Sequence, residues 1–238
     1  MYIKRKDGID IPVIINGEGN KIVILCHGFG GKKESSTNRL VGEEFQKQGY
    51  KVIAFDFTGQ GERLDEGEEI RVKSCLEDLD TVIKYFSKEV EEISLFGSSF
   101  GGYMTLLYAS RNNWNRGNIY LKSPALELSN VLWNMLGEKE KIIITSKGYG
   151  AIVHKNGNVT ISLAFLDELK RIDIYEEFSK SNIKVKIVHG DADKTALYKC
   201  SKKLDHENEG RVELKPSVDG DHFMKRVVDK EAILSIIK

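Results

Sequence analysis

The sequence is short of cysteine. It has three, Cys26, Cys75 and Cys200, far apart and odd in number. That excludes a disulfide framework and a cysteine metal cluster. The reading that remains is reduced thiols, and a cytoplasmic protein is expected. A surplus of charge of one sign is also missing: Lys+Arg and Asp+Glu are 36 each, and the net charge is zero. With no basic excess and no polybasic block, nucleic acid is not an expected partner. No apolar run approaches the roughly 20 residues that a membrane-spanning helix needs. The first eight residues carry charge but no apolar stretch follows, so no signal peptide is predicted. Repeats and low-complexity segments are lacking too.

What the chain has is glycine, 22 of its 238 residues, and short apolar runs alternating with helical stretches. Residues 2–6 and 9–15 read as two strands joined by Asp7-Gly8, a strong hairpin signal. Residues 21–26 are rich in β-branched side chains, the pattern of a strand covered on both faces, and 50–57 is another such run. Residues 35–48 have helical spacing, with Gly49 as the stop. A second helix is predicted over 74–88, with Leu76, Leu79, Val82, Ile83 and Phe86 on one face. Strands follow at 93–96 and 118–121, with a helix over 103–110 between them. Later the alternation resumes with a strand at 184–189, a helix at 196–204, a strand at 211–215 and a closing helix at 224–237. This rhythm predicts an α/β fold: a mostly parallel sheet with helices on both faces and an N-terminal antiparallel hairpin. A chain of this length fits one such domain, residues 1–238.

Residues 125–181 break the rhythm. Here 126–136 looks helical, and 141–145, 151–154 and 159–162 look like strands. Lys155-Asn156-Gly157-Asn158 is a turn, and 163–178 looks helical again. The segment reads as an inserted cap lying over the sheet edge.

In a parallel sheet, ligands bind beyond the carboxyl ends of the strands. Three glycine-rich loops fall there, after residues 26, 57 and 96. The last is Gly97-Ser98-Ser99-Phe100-Gly101-Gly102, a G-x-S-x-G string between a strand and a helix, which is the pattern of a nucleophile elbow. Such a turn needs small residues two before and two after the serine, and Gly97 and Gly101 supply them. Taken alone, the string also fits a solvated turn, so the reading depends on partners for Ser99.

A serine hydroxyl needs a base, and the base needs an orienting acid. There are five histidines. His206 lies in a charged stretch and His154 in the cap. His27 and His189 close strands and are expected to be structural. His222 follows the last predicted strand in a Gly/Asp loop and is the expected base. Asp193, in the loop after the penultimate strand, is the expected acid. Asp191 is expected to brace its turn, and Asp221 is too close in sequence to reach the far side of the imidazole. Nucleophile, acid and base then occur in the chain order that this fold uses. The backbone N–H groups of Phe100 and Phe29 are the expected oxyanion donors. Trp133, Tyr149 and Phe165 are candidates to line an acyl pocket, although aromatics at such spacing also suit a core.

With these residues in place the chain resembles the α/β-hydrolases throughout its length. The matching strings are His27-Gly28-Phe29-Gly30-Gly31, Asp56 with Gly59-Gln60-Gly61, the Ser99 elbow, His189-Gly190-Asp191-Ala192-Asp193 and Gly220-Asp221-His222. Within that superfamily it is most similar to bacterial cinnamoyl/feruloyl esterases and their monoacylglycerol-lipase-like relatives. Ser123-Pro124-Ala125 at the start of the cap and Ile174-Tyr175-Glu176 before the acid-bearing strand carry this likeness. It implies a serine esterase with a small cap that shapes the acyl pocket, acting on a small-molecule ester with no cofactor and no metal. It also implies Ser99 as nucleophile, Asp193 as acid, His222 as base, and Phe29 and Phe100 as oxyanion donors. The expected reaction is hydrolysis of a small aryl or short-to-medium acyl ester by a monomer or homodimer. A thioesterase or a monoacylglycerol lipase would share the triad. A non-catalytic binding module is the reading from another class. No predicted propeller or other gating domain supports a peptidase.

Overall fold

β-Branched apolar runs set the sheet, and the helices follow from amphipathic spacing. The computed structural model describes residues 1–64, 67–88 and 90–238. Its strands are β1 (Tyr2–Lys4), β2 (Asp10–Asn16), β3 (Lys21–Cys26), β4 (Tyr50–Phe55), β5 (Glu92–Ser98), β6 (Ile119–Lys122), β7 (Tyr149–Ile152), β8 (Val159–Ser162), β9 (Val185–Gly190) and β10 (Val212–Ser217). The helices are α1 (Ser36–Lys47), α2 (Val72–Phe86), α3 (Phe100–Arg111), α4 (Leu128–Met135), α5 (Glu138–Lys147), α6 (Leu163–Arg171), α7 (Ile174–Ser179), α8 (Tyr198–Glu207) and α9 (Val227–Ser235).

Among the described residues the main sheet has eight strands in the order β1-β2-β4-β3-β5-β6-β9-β10. β1 and β2 form the antiparallel hairpin, with Ile3 opposite Ile11, and β2 is antiparallel to β4. Every later pairing in this sheet is parallel. Successive side chains on a strand face opposite ways, so each central strand feeds two cores. Ile22, Ile24, Ile53, Phe55 and Leu95 pack with Leu79 and Val82 of α2 and Leu106 and Leu107 of α3. Val23, Leu25, Val52, Ala54 and Phe96 pack with Val41 and Phe45 of α1 and Ile233 of α9. Coverage on both faces is why these strands read as unbroken apolar runs rather than alternating ones. Among the described residues no helix is long and apolar enough to cross a membrane.

A buried charge cluster ties the hairpin to the first crossover. Asp78 of α2 accepts from Arg5 at 2.9 Å and from Arg63 at 2.8 Å, and also from the Thr58 hydroxyl at 2.6 Å. Burial pushes the Asp78 carboxyl up, against the opposing pull of Arg63, Thr58 and Arg5.

The 125–181 segment departs from expectation in three places. Residues 141–145, expected as a strand, lie inside α5. The run Ile142-Ile143-Ile144 is β-branched, but only Ile144 is buried and Ile142 is 70% exposed. Glu138 and Glu140 favour the helix N-terminus, and the Thr145 and Ser146 hydroxyls donate back to the carbonyls of Lys141 and Ile142. The expected single helix over 163–178 is two. Ile172 is extended, and the Asp173 side chain accepts from the N–H groups of Tyr175 and Glu176, which starts α7 afresh. An aspartate there is a strong helix N-cap. β7 and β8 form a small antiparallel hairpin of their own; β8 lies where the sequence predicts a strand, but β7 begins and ends two residues before the expected 151–154.

Candidate active site

The chain turns sharply from β5 into α3 at Ser99, whose backbone sits at φ 53°, ψ −113°. A side-chain-bearing residue is strained there. The glycines make the turn possible. A Cβ on Gly97 would lie 2.5 Å from the Gly101 carbonyl, and one on Gly101 would lie 2.3 Å from the Cys26 carbonyl. Backbone bonds hold the turn from the β6 side: Ser99 N–H donates to the Lys122 carbonyl at 2.9 Å, and Ala125 N–H to the Ser99 carbonyl at 3.1 Å.

Three side chains distant in sequence meet at this edge. His222 Nε2 lies 2.9 Å from Ser99 Oγ, and His222 Nδ1 lies 2.7 Å from Asp193 Oδ2. The carboxylate can only accept, so Nδ1 carries the proton and Nε2 is free to take one from the serine. Asp193 is itself over-supplied with donors. Its Oδ1 accepts from the N–H groups of Thr195 and Ala196, at 2.8 and 3.0 Å. His189 Nε2 faces both Asp193 Oδ2 at 3.1 Å and the Ala196 carbonyl at 2.7 Å, so that nitrogen donates, while Nδ1 accepts from Ser201 Oγ at 2.8 Å. Burial alone would raise the Asp193 carboxyl. The hydrogen bonds from His189 and His222, the charge at His222 and the Thr195 N–H outweigh burial and hold it well below the usual carboxylate range.

The remaining histidines and acids sit elsewhere or serve local structure. His27 is buried, donates to the Gly28 carbonyl at 2.8 Å and accepts from Phe57 N–H at 3.2 Å, and burial pushes its pKa down. His206 is exposed on α8. Asp191 accepts from Asp219 N–H at 2.6 Å, and Asp221 from the N–H groups of Phe223 and Met224. His27, Asp191 and Asp221 thus act as braces.

Neither the Phe29 N–H nor the Phe100 N–H has a hydrogen-bond acceptor among the described residues. The two loops are locked together. The Phe29 and Phe100 rings meet edge-to-face at 5.8 Å, and Phe100 meets Phe57 at 5.4 Å. A Cβ on Gly28 would touch Ser99 Cβ at 3.5 Å, so the loop passes directly beside the serine. Gly30 is gripped from both sides: its N–H donates to Gln60 Oε1 at 2.8 Å and its carbonyl accepts from Asn156 Nδ2 at 2.9 Å.

A cavity of about 400 Å³ opens over Ser99. One wall is apolar, made by Leu128, Val131, Leu132 and Met135 of α4. The rim carries Lys32, Lys155 and Lys225, with His154 of the cap. The expected pocket aromatics are not in it. Trp133 is half-buried against the core, Phe165 is fully buried in it, and Tyr149 is exposed on β7. Phe165 lies on the buried face of α6 with Leu166 and Leu169, and Tyr149 on the exposed face of β7. For Trp133 the physical reason is helix phase: positions 128, 131, 132 and 135 share one face of α4, and 133 points away from it. That spacing was in the sequence and was the usable signal. Sequence reasoning also missed Gln60 and Asn156, which act through a loop, and Lys122, whose Nζ donates to the His222 carbonyl. Among the described residues no group of three or more His, Cys, Asp or Glu side chains could hold a metal ion.

A serine lifted on such a turn, at the carboxyl edge of a sheet in this strand order, separates the α/β-hydrolases from other α/β proteins, and this chain is one of them. Within that class it belongs to the family described as serine aminopeptidase, S33, which residues 17–145 match. It is 27% identical over 135 residues to L404 of Acanthamoeba polyphaga mimivirus, a protein named as an α/β hydrolase, covering 53% of this chain and 50% of that one. It is 35% identical over 111 residues to a 31.7 kDa protein of the traX-finO intergenic region of Escherichia coli, covering 42% of this chain and 36% of that one. The chain therefore spans half or less of the length of these curated relatives. Its fold matches that of Est1E from Butyrivibrio proteoclasticus, solved with ferulic acid bound, at a TM-score of 0.82 and 21% identity, covering 100% of this chain and 97% of that one.

Proposed function

We propose that the protein is a serine carboxylesterase that cleaves small aryl or short-to-medium acyl esters through an acyl-enzyme. The observation that carries this is the row Asp193–His222–Ser99, with its two hydrogen bonds of 2.7 and 2.9 Å. In this reading His222 Nε2 takes the Ser99 proton as Oγ attacks the ester carbonyl. Asp193 holds the ring and stabilises the imidazolium without taking its proton. The developing oxyanion lies against the N–H groups of Phe29 and Phe100, which have no acceptor to release among the described residues. His222 then returns the proton to the leaving alcohol, and water repeats the sequence to free the acid.

The cavity supports a modest ester with an apolar acyl half. It weighs against an aminopeptidase, which needs an anionic group to hold the substrate's α-ammonium. Among the described residues Glu34 is the one carboxylate in the cavity wall, and Lys33 occupies it at 3.2 Å. The three rim lysines have no ion pair among the described residues. A thioesterase or a monoacylglycerol lipase would use the same row and differ only in the pocket. A panel of p-nitrophenyl esters, aryl-acid methyl esters and acyl-CoA separates them.

A fluorophosphonate probe is expected to label Ser99. Ser99→Ala is expected to abolish labelling and to lower ester turnover on the order of 10⁴-fold or more. An unlabelled wild-type protein would instead favour a non-catalytic binding module.

A further inference from the structure

We propose that Lys122 is a positioning residue that sets Ser99 and His222 against each other, with its carbonyl bound to the amide of one and its ammonium to the carbonyl of the other. This rests on Ser99 and His222 being nucleophile and base.

Lys122 ends β6, where it pairs with Ser98 of β5. From there its carbonyl accepts the Ser99 N–H at 2.9 Å. Its side chain runs the other way, under the loop after β10, and Nζ donates to the His222 carbonyl. The next residue adds to the same tie: Ser123 N–H donates to the Val188 carbonyl at 2.9 Å and Ser123 Oγ to Met224 Sδ at 3.4 Å. One short segment thus touches the strands and loops that carry nucleophile, acid and base. The loop that bears His222 is braced on either side of it, by Asp191 at Asp219, by the Ala192 N–H at the Gly220 carbonyl and by Asp221 at Phe223 and Met224. Among the described residues the bond to the backbone of His222 itself comes from Lys122. The loop lies between Ser217 and Val227 without regular structure, and Phe223 beside the base is 61% exposed.

The chemistry of this lysine is out of place in an ordinary strand end. It is 3% exposed, and a buried ammonium is costly unless well partnered. Burial pushes its pKa down to about 8, against the opposing pull of Asp193, Asp221 and Asp229. Yet none of the three forms an ion pair with it among the described residues. Asp193 is taken by His222 and His189, Asp221 by the N–H groups of Phe223 and Met224, and Asp229 by Arg226 and Ser217. The ammonium's direct bond is therefore to a neutral carbonyl. A methionine would fill the same space at less cost to stability, so the placement is accounted for by orientation of the base.

The test is Lys122→Met and Lys122→Gln, the first apolar and of similar length, the second too short to reach. Both are expected to fold, with Lys122→Met no less stable than wild type in urea. Turnover should fall about 10–100-fold with KM within about twofold, because a misplacement near 1 Å costs on the order of 10² in rate. Labelling by the fluorophosphonate should slow in step. The low-field proton resonance of His222 Nδ1–H, which needs no substrate, should weaken or vanish in both variants. Wild-type kcat in either folded variant overturns the proposal. So does a change confined to KM, or a loss that only tracks the fraction of folded protein. If the wild type cleaves no ester, the esterase reading fails; the resonance still decides whether Lys122 orients the imidazole.

Discussion

One carboxylate oxygen joins two imidazoles at this site. Asp193 Oδ2 receives both His222 and His189. A second imidazole on Asp193 fixes the carboxylate plane, and Asp193 in turn fixes the His222 ring. Asp193→Asn should lower turnover about 10⁴-fold, because an amide can stabilise the wrong tautomer of His222. It should also change the acid stability of the fold. The folded-state pKa of Asp193 is depressed, so its contribution is fully present above the ordinary carboxylate range near pH 4. That contribution is lost as pH falls through the range toward the depressed value. Urea midpoints of wild type and variant should therefore differ at pH 7, and the gap should begin to narrow only below about pH 4 and remain open at pH 3. Ser99, Asp193 and His222 were legible as candidates because each sits just past a predicted strand at one edge of the sheet. Lys122 was not. At the end of an apolar run it reads as a polar strand terminus, and only the neighbours β5 and β10 bring reveal what it reaches.

Elements, rather than residues, decide what enters. α4 presents Leu128, Val131, Leu132 and Met135 to the cavity. Val131→Phe is expected to narrow it, cutting kcat/KM for long-chain p-nitrophenyl esters about 10-fold while leaving the acetate within about twofold. Facing also explains which part of the cap was misread. Trp133, Tyr149 and Phe165 attract attention by size, but size does not encode facing; the spacing of four aliphatic residues does. The strands β3 to β6 were readable because burial on both faces leaves a continuous apolar signature. α5 was not, because three isoleucines suggest a strand when their exposure is unknown. The break between α6 and α7 was available in principle from Asp173 and Glu176, an N-cap with an acid three residues on.

At the scale of the whole molecule, the site is a junction of segments that the sheet alone would not hold together. The Arg5–Asp78–Arg63 cluster anchors the N-terminal hairpin to α2 and to the loop after β4. Gln60 of that loop and Asn156 of the cap then grip Gly30. The fold as a whole also keeps Ser99 at φ 53°, a conformation that an isolated turn would relax. Replacing it by glycine or by alanine removes the hydroxyl equally, yet only glycine is at ease there. Ser99→Gly is expected to outlast Ser99→Ala in urea by about 1 kcal/mol. Durability and reactivity thus pull in opposite directions at this position. A lineage screened for heat tolerance alone would drift toward glycine and lose the hydroxyl on which the proposed chemistry depends.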